Sequence, residues 1–356
     1  VELGREAPVT LIDSYLGPQV KLNGGSFEGC VFLRGAAMGS GAHVRQGTIF
    51  EEYASGAHCV GVKQTILFPY VTLGSLINFC DCLMAGGTGP KNHSEVGSSY
   101  IHFNFTPHQD KATASMLGDV PRGVMLAQAP IFLGGQGGLV GPCRINYGNV
   151  IAAGCIYRKD ALVSGKILMA NPGRGGSVPF RPGFHINVKR ILVNNTIYFA
   201  NLVALKKWYR DVRSQFATDR LAEMVHEGLM KTLDGSISER IHRLDQWVKI
   251  IAQAADEIRD PLGDVQCDLV DRLDTIIGLL NSADEEVQGD VCQRDAFLDS
   301  LRGHINPHDS DYMTNISKLD PAACTVGTGW LCSIVREVVE RLFRQLPSMQ
   351  ATKVVG

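Results

Sequence analysis

The sequence predicts a mainly β plus α protein, in which a left-handed parallel β-helix is followed by an α-helical domain. Three features lead to this prediction: a six-residue spacing of aliphatic residues, glycine concentrated in the first half, and helical spacing of apolar residues in the second half. Thirty of the 39 glycines lie before residue 190 and nine lie after it. We therefore place a β-helix domain at residues 1–190 and an α-helical bundle domain at residues 191–356.

The six-residue repeat is clearest between residues 133 and 151. An aliphatic side chain returns at every sixth position of this stretch, at Leu133, Leu139, Ile145 and Ile151. A period of six fits neither an α-helix nor an alternating strand, whereas three hexads close one triangular coil of a β-helix. The glycines between them suit corners where φ is positive or a neighbouring coil lies close. We expect the four aliphatic side chains to be buried in the stack of coils.

Fragments of the same repeat extend the predicted solenoid over about residues 10–156, and they include Leu16, Leu22, Met38, Val44 and Phe50. The longest part without clear hexads predicts a long loop at residues 86–114. Loops on a rigid scaffold often carry function, which makes this segment the first place to look for a site. The apolar stretch 186–198 is expected to cover the open end of the solenoid, because an uncovered end exposes unpaired strand edges.

Apolar spacing predicts helices in the second half. Ser236 and Glu239 have the spacing of a capping box that starts a helix. A heptad seam follows at positions 237, 241, 244, 248, 251, 255 and 258, before Pro261. A second stripe covers residues 265–280, Ser282 is expected to cap another helix that reaches residue 301, and a last helix covers about 330–346. Together these stripes predict a helical bundle.

Composition excludes several classes of function. The net charge of −2 gives no basic surface for nucleic acid, and no run of about 18 apolar residues predicts a membrane span. The ten cysteines form no CxxC pair, which argues against a zinc ribbon or a disulfide framework. No secretory signal is evident at the start of the sequence. We expect a cytoplasmic protein with reduced cysteines.

Three stretches between residues 74 and 160 carry a resemblance to a known family. They are Asn104-Phe105 followed by Lys111-Ala-Thr113, then Leu117-Gly-Asp-Val120, then Ile151-Ala-Ala-Gly154. The first resembles an Asn-Tyr…Lys-x-x-Thr loop, the second an Ile-Gly-Asp-x-Val segment, and the third a closing Ile-Ala-Ala-Gly. All three segments occur in the hexapeptide-repeat domain of bacterial UDP-N-acetylglucosamine pyrophosphorylase/glucosamine-1-phosphate acetyltransferase and of related sugar nucleotidyltransferases.

The resemblance implies a transferase that binds a nucleotide sugar or a sugar phosphate, with acetyl-CoA as the co-substrate. It implies a ligand groove between neighbouring solenoids of a homotrimer. Its substrate-binding residues would be Asn104, Phe105, Lys111 and Thr113. Asn104 would bind the sugar, and Lys111 would pair with a phosphate or polarise an acyl oxygen. We expect the nucleotidyltransferase half of the bifunctional relatives to be missing from this sequence, because the hexads begin almost at residue 1.

One departure from the family affects the chemistry. The family's Gly-His-Leu-x-Tyr-x-Gly-Asp segment, whose histidine is the catalytic base, is matched here by residues 74–81, with Ser75 at the histidine position. A serine hydroxyl is no general base near neutral pH, whereas an imidazole is. The candidate catalytic bases are therefore His93, His102 and His108. Their unequal gaps of nine and six residues argue against a metal site like that of the hexapeptide-repeat carbonic anhydrases, so no metal is predicted.

Two alternatives to a transferase stay open. In the first, the chain is a non-catalytic relative whose groove binds a nucleotide sugar and whose helical domain reports or recruits. In the second, it is a mainly structural trimer. Both alternatives account for the loss of the family's histidine at Ser75.

Overall fold

The protein is described by a computed structural model. The structure describes residues 1–108, 110–170, 176–177, 180, 187–258, 262–305, 311–350 and 352. Its first part is a parallel β-solenoid of about nine turns, and its second part is helical. The predicted fold class is therefore confirmed.

Three parallel sheets form the faces of the solenoid. The first sheet contains β1 (Glu2–Leu3), β4 (Lys21–Leu22), β7 (Ala37–Met38), β10 (Ser55–Gly56), β13 (Thr72–Leu73), β18 (Glu95–Val96), β21 (Phe132–Leu133), β24 (Val150–Ile151) and β26 (Ile167–Leu168). The second sheet contains β2 (Val9–Ile12), β5 (Gly25–Glu28), β8 (Ala42–Val44), β11 (Gly61–Lys63), β14 (Asn78–Cys80), β19 (Ile101–Phe103), β22 (Gly138–Val140) and β25 (Ile156–Tyr157). The third sheet contains β3 (Tyr15–Leu16), β6 (Cys30–Phe32), β9 (Thr48–Phe50), β12 (Ile66–Leu67), β15 (Cys82–Met84), β20 (Ser115–Leu117) and β23 (Arg144–Ile145).

The hexads of residues 133–151 lie where the repeat places them. Leu133 pairs with Ile151 on adjacent strands of the first sheet, because three hexads make one coil of eighteen residues. Leu139 points inward from the second sheet and Ile145 from the third. All four side chains are at most 1% exposed. The prediction that they are buried in the stack is confirmed.

The segment expected to be one long loop, residues 86–114, is crossed by two solenoid strands. A hairpin of β16 (Gly87–Gly89) and β17 (Asn92–His93) projects from the solenoid directly after β15 of the third sheet. Strands β18 and β19 then return to the first and second sheets. Only the hairpin and residues 104–114 leave the coil path. The hexads were hidden here because the inward position six residues after Val96 is occupied by His102 rather than by an aliphatic residue.

The helical part consists of α-helices and two short 3₁₀ helices. Their bounds are α1 (Val120–Gly123, inserted in the solenoid), α2 (Val188–Asp211), α3 (Arg220–Ile258), α4 (Asp264–Asp271), α5 (Leu273–Glu286), α6 (Val291–His304), α7 (Tyr312–Ser317) and α8 (Pro321–Arg344), with 3₁₀ turns at Arg213–Phe216 and Pro347–Met349. The predicted heptad seam is buried from Ile241 to Ile251. Helix α8 has the length and hydropathy of a membrane span, but buried core helices meet the same criteria, and α8 packs against α2 and α6.

Two expected helix starts were wrong. Ser236 does not start a helix but lies in the middle of α3, where its hydroxyl donates to the carbonyl of Gly47 in the solenoid, at 3.2 Å. Ser282 lies inside α5, and the next helix begins after Asp290, whose carboxylate accepts from the Gln293 amide. The stretch expected as a cover for the open end forms the start of α2 from residue 188 onward, and residue 186 lies outside the described residues.

Helix α3 packs against the third sheet through β3, β6 and β9, and α2 packs against β20. One flat face of the solenoid is thus covered by the chain's own helices. The homotrimer expected from the resemblance would therefore have to use the first or the second face.

A buried ionic cluster joins this face to the helices. Arg213 donates to Glu52 at 2.6 Å and to Glu51 at 3.1 Å, and the Tyr209 hydroxyl donates to Glu51. The Arg213 guanidinium also lies 3.9 Å from the ring centre of Tyr312. One cation here faces two carboxylates, so the cluster holds an excess negative charge away from water. Burial, opposed by Arg213 and reinforced by Glu52, raises the pKa of Glu51 to about 7.

We predict that this cluster makes stability fall as the pH rises toward neutral. The folded state holds the Glu51 proton more tightly than the unfolded state does, so the stabilisation is complete below pH 4.5 and is lost as the pH rises through 7. The slope should approach about 1.4 kcal/mol per pH unit in that window. Glu51→Gln keeps an acceptor for Tyr209 and should flatten the profile. Urea denaturation from pH 5 to 8 measures the free energy of unfolding, with a substitution of the exposed Glu28, Glu28→Gln, as the control. Parallel pH profiles for wild type and Glu51→Gln would contradict the prediction.

Candidate functional site

The three candidate histidines lie in three different environments. His93 lies at the end of the β16–β17 hairpin, His102 on β19 of the second sheet, and His108 in the loop that follows β19. Among the described residues no group of three or more His, Cys, Asp or Glu side chains is placed to hold a metal ion. The histidines must therefore be considered one at a time.

His102 is a core residue of the solenoid. It points inward between Phe79 and Leu139 of the neighbouring coils and is 1% exposed. Its Nδ1 lies 2.6 Å from the Cys80 carbonyl oxygen, so Nδ1 carries the proton, and its Nε2 accepts from the Ser115 hydroxyl at 2.7 Å. Burial lowers the pKa of His102 to about 4. Both ring nitrogens are occupied inside the core, so we interpret His102 as structural rather than catalytic.

His93 has the geometry expected of an oriented base. Its Nδ1 lies 3.0 Å from the Pro90 carbonyl oxygen, which can only accept, so the proton resides on Nδ1 and the Nε2 lone pair is free to take another. The Nε2 atom lies 4.0 Å from the Glu95 carboxylate, and the His93 side chain is 26% exposed. The imidazole is thus held by the main chain, reachable from solvent and close to a carboxylate.

His108 lies in the loop that the resemblance assigns to ligand binding. Its ring stacks on Phe180 with centroids 5.4 Å apart, and its backbone N–H donates to the Thr106 hydroxyl at 3.2 Å. The Thr106 contact lies within the loop, whereas the Phe180 contact holds the imidazole against an aromatic ring from a later part of the chain. The structure therefore gives His108 a packing role in the loop.

Two of the expected substrate-binding residues are used within the protein. The Asn104 side-chain amide donates to the Asp81 carboxylate, and the Thr113 hydroxyl donates to the Asn104 carbonyl at 2.7 Å. The loop approaches the next coil so closely that a Cβ at Gly141 would lie 1.8 Å from the Thr113 carbonyl oxygen. Asn104 and Thr113 therefore close the base of the loop.

The other two expected residues are available at the surface. Phe105 is 58% exposed. Lys111 is half-buried and, within the described part of the chain, makes no hydrogen bond or ion pair. An ammonium without an ion pair is able to meet an anionic ligand. Ser75, at the position of the family's histidine, is a half-buried corner residue whose backbone N–H donates to the Ser98 hydroxyl at 3.1 Å.

Sequence reasoning missed the ion pair that anchors the loop to the helices. Arg240 of α3 binds Asp81 at 2.5 Å, both side chains are 6% exposed, and Asp81 also accepts from Asn104. No signal of this pair was present in the sequence, because Arg240 directly precedes Ile241 of the apolar seam, a flanking position where charged residues are common. The pairing connects the 104–113 loop to α3 through one carboxylate.

The chain matches no protein-family model and no curated protein sequence. The functional conclusion consequently depends on the geometry described above and on the resemblance of the three stretches within residues 104–154.

We predict that His102 confers pH-dependent stability. Its pKa in the folded state lies below the unfolded value of 6.5, so its contribution is complete above pH 6.5 and is lost as the pH falls toward 4. His102→Leu should lower stability at pH 7 by about 1–3 kcal/mol, because the Cys80 carbonyl loses its donor. It should also remove this acid slope. Chemical denaturation at pH 4.5, 5.5 and 7 tests both effects, and an unchanged acid slope in the variant would reject the assignment.

Proposed function

We propose that the chain is a hexapeptide-repeat transferase in which His93 is the general base. The observation that supports this is the contact of His93 Nδ1 with the Pro90 carbonyl oxygen at 3.0 Å, which favours the neutral tautomer with its proton on Nδ1 and its lone pair on Nε2. The resemblance supplies the rest: a nucleotide sugar or sugar phosphate as acceptor and acetyl-CoA as donor. No bound metal is needed for this chemistry.

In the proposed reaction a nucleophilic amine or hydroxyl of the sugar attacks the thioester carbonyl. Nε2 of His93 takes the nucleophile's proton, the carbon–sulfur bond breaks, and coenzyme A leaves as the thiolate, which is protonated on release. Glu95 stabilises the imidazolium that forms, since an opposite charge near the ring favours its charged state. The acyl group ends on the sugar, and His93 returns its proton to solvent.

We predict that His93→Gln lowers the turnover of acetyl-CoA by roughly 10²–10⁴-fold, the usual contribution of a general base. Thiol release from acetyl-CoA in the presence of glucosamine 1-phosphate measures this. The matched control is His58→Gln, because His58 also lies beside a carboxylate, Glu6, at 3.7 Å, but is 63% exposed. Equal rates in wild type and His93→Gln, or an equal loss in His58→Gln, would reject His93 as the base.

A second candidate function, non-catalytic binding of a nucleotide sugar, is favoured by the internal hydrogen bonds of Asn104 and Thr113. In this case Lys111 provides the anion contact. A structural trimer is the third possibility. A thermal-shift screen separates these functions: a transferase responds to acetyl-CoA and to UDP-sugars, a binding protein to UDP-sugars alone, and a scaffold to neither.

We predict that Lys111→Ala weakens binding of UDP-N-acetylglucosamine by about 1.5–3 kcal/mol, the range for a hydrogen bond to a charged group. Ser75→Ala should change the affinity little, because Ser75 lies at a corner of the coil, where its backbone N–H donates to Ser98. Isothermal titration calorimetry of both variants gives the answer. Unchanged affinity in Lys111→Ala, or a large loss in Ser75→Ala, would place the sugar site elsewhere.

A further inference from the structure

The outer face of the second sheet carries an unusual arrangement of side chains. Residues alternate between inward and outward directions along each strand, so one outward column runs through successive coils as Arg45, Lys63, Cys80, Phe103 and Val140. The column beside it contains His43, Gly61, Asn78, Ile101, Gly138 and Ile156. The two columns are basic in the earlier coils and apolar in the later ones.

Arg45 and Lys63 form no ion pair within the described residues, although Glu28 is the register neighbour of Arg45 in the same outward column. Within the described residues the only contact of the Arg45 guanidinium is from Nη2 to the Cys80 sulfur at 3.5 Å, and its buried Nε has no hydrogen-bond partner. Lys63, on the adjacent strand, has no ion pair there either. A buried donor without an acceptor is unfavourable, and a guanidinium fork matches phosphate oxygens well. This half of the face is therefore complementary to an anion.

The apolar half is exposed to solvent. Ile101 is 43% and Phe103 39% exposed on β19, and Ile156 is 41% exposed on β25, two strands away across β22. The Phe103 ring lies across Gly138, where a Cβ would meet its Cε2 at 2.5 Å, so the ring presents a broad surface. Gly61, which lies between His43 and Asn78 in the second column, adds no side chain beside Lys63. Clustered exposed apolar side chains indicate a binding surface.

We propose that this face binds a nucleoside diphosphate, with the phosphates on Arg45 and Lys63 and the base on Phe103 and Ile101. Lys63 and Phe103 are two strands apart, which is roughly 10 Å at about 4.8 Å per strand, a span that a nucleoside diphosphate covers. A free phosphate would leave the aromatic half unused, and a flat sheet offers an alkyl chain no groove. A planar base, in contrast, stacks on an aromatic ring. This site is distinct from His93 and does not depend on acyl transfer.

The test is calorimetry on the full chain with UDP, ADP and inorganic pyrophosphate. Arg45→Gln combined with Lys63→Gln should weaken all three at least 10-fold. Phe103→Leu, which keeps an apolar cover over Gly138, should weaken UDP and ADP about 10-fold and leave pyrophosphate unchanged. The matched control is Lys21→Gln, an exposed lysine on the first sheet, which should bind as wild type does.

Several results would overturn the proposal. They are no binding of either nucleotide at millimolar concentration, full binding in the Arg45/Lys63 double variant, or an equal loss in Lys21→Gln. Loss of UDP, ADP and pyrophosphate binding in Lys111→Ala, as opposed to the weaker UDP-N-acetylglucosamine binding predicted above, would move the diphosphate site to the 104–113 loop. His93→Gln separates the two proposals, since it should abolish transfer and keep nucleotide binding. Unchanged thermal unfolding of each variant shows that the solenoid is intact.

Discussion

Buried pairing of charges across one face of the solenoid determines how the two parts of the chain fit together. Arg213 meets Glu51 and Glu52, and farther along the same helical layer Arg240 meets Asp81. Removing one partner of such a pair typically costs 3–5 kcal/mol, because the other charge stays buried. A shifted packing of α3 on the third sheet would separate these partners. The helices are therefore held in one position against the solenoid.

The same pairing reaches the loop after β19. Asp81 divides its two carboxylate oxygens between Arg240 of α3 and the amide of Asn104. The Asn104 amide and the Arg240 guanidinium thus share one carboxylate, so the position of the loop and the packing of α3 depend on a common group. This gives the helical part a physical connection to the loop.

The parts of the fold that depend on repetition could be predicted from the sequence, and the parts that depend on single long-range contacts could not. The spacing of Leu133 and Ile151 predicts the coil, because every hexad repeats the same inward position. His102 occupies that position too, but a polar residue satisfied by Cys80 and Ser115 looks like a loop histidine in the sequence. Ser236 resembles a helix start because its hydroxyl partner, Gly47, is 189 residues away. The unpaired state of Arg45 is likewise visible only once the neighbouring coils are in place.

A β-solenoid has little freedom in where it can place chemistry. Its interior is filled by inward side chains such as Phe79, His102 and Leu139, so a ligand cannot enter between the sheets. One outer face is covered by α2 and α3. Functional groups must therefore lie on the other two faces or on segments that leave the coil. His93 meets this requirement because it lies on a hairpin, where the main chain can orient an imidazole. The outer face of the second sheet meets it because side chains of different chemistry lie on successive parallel strands at a fixed spacing. A ligand recognised on that face must then be extended and differ in chemistry from end to end, because the coils supply cations and aromatic surface in sequence along one axis.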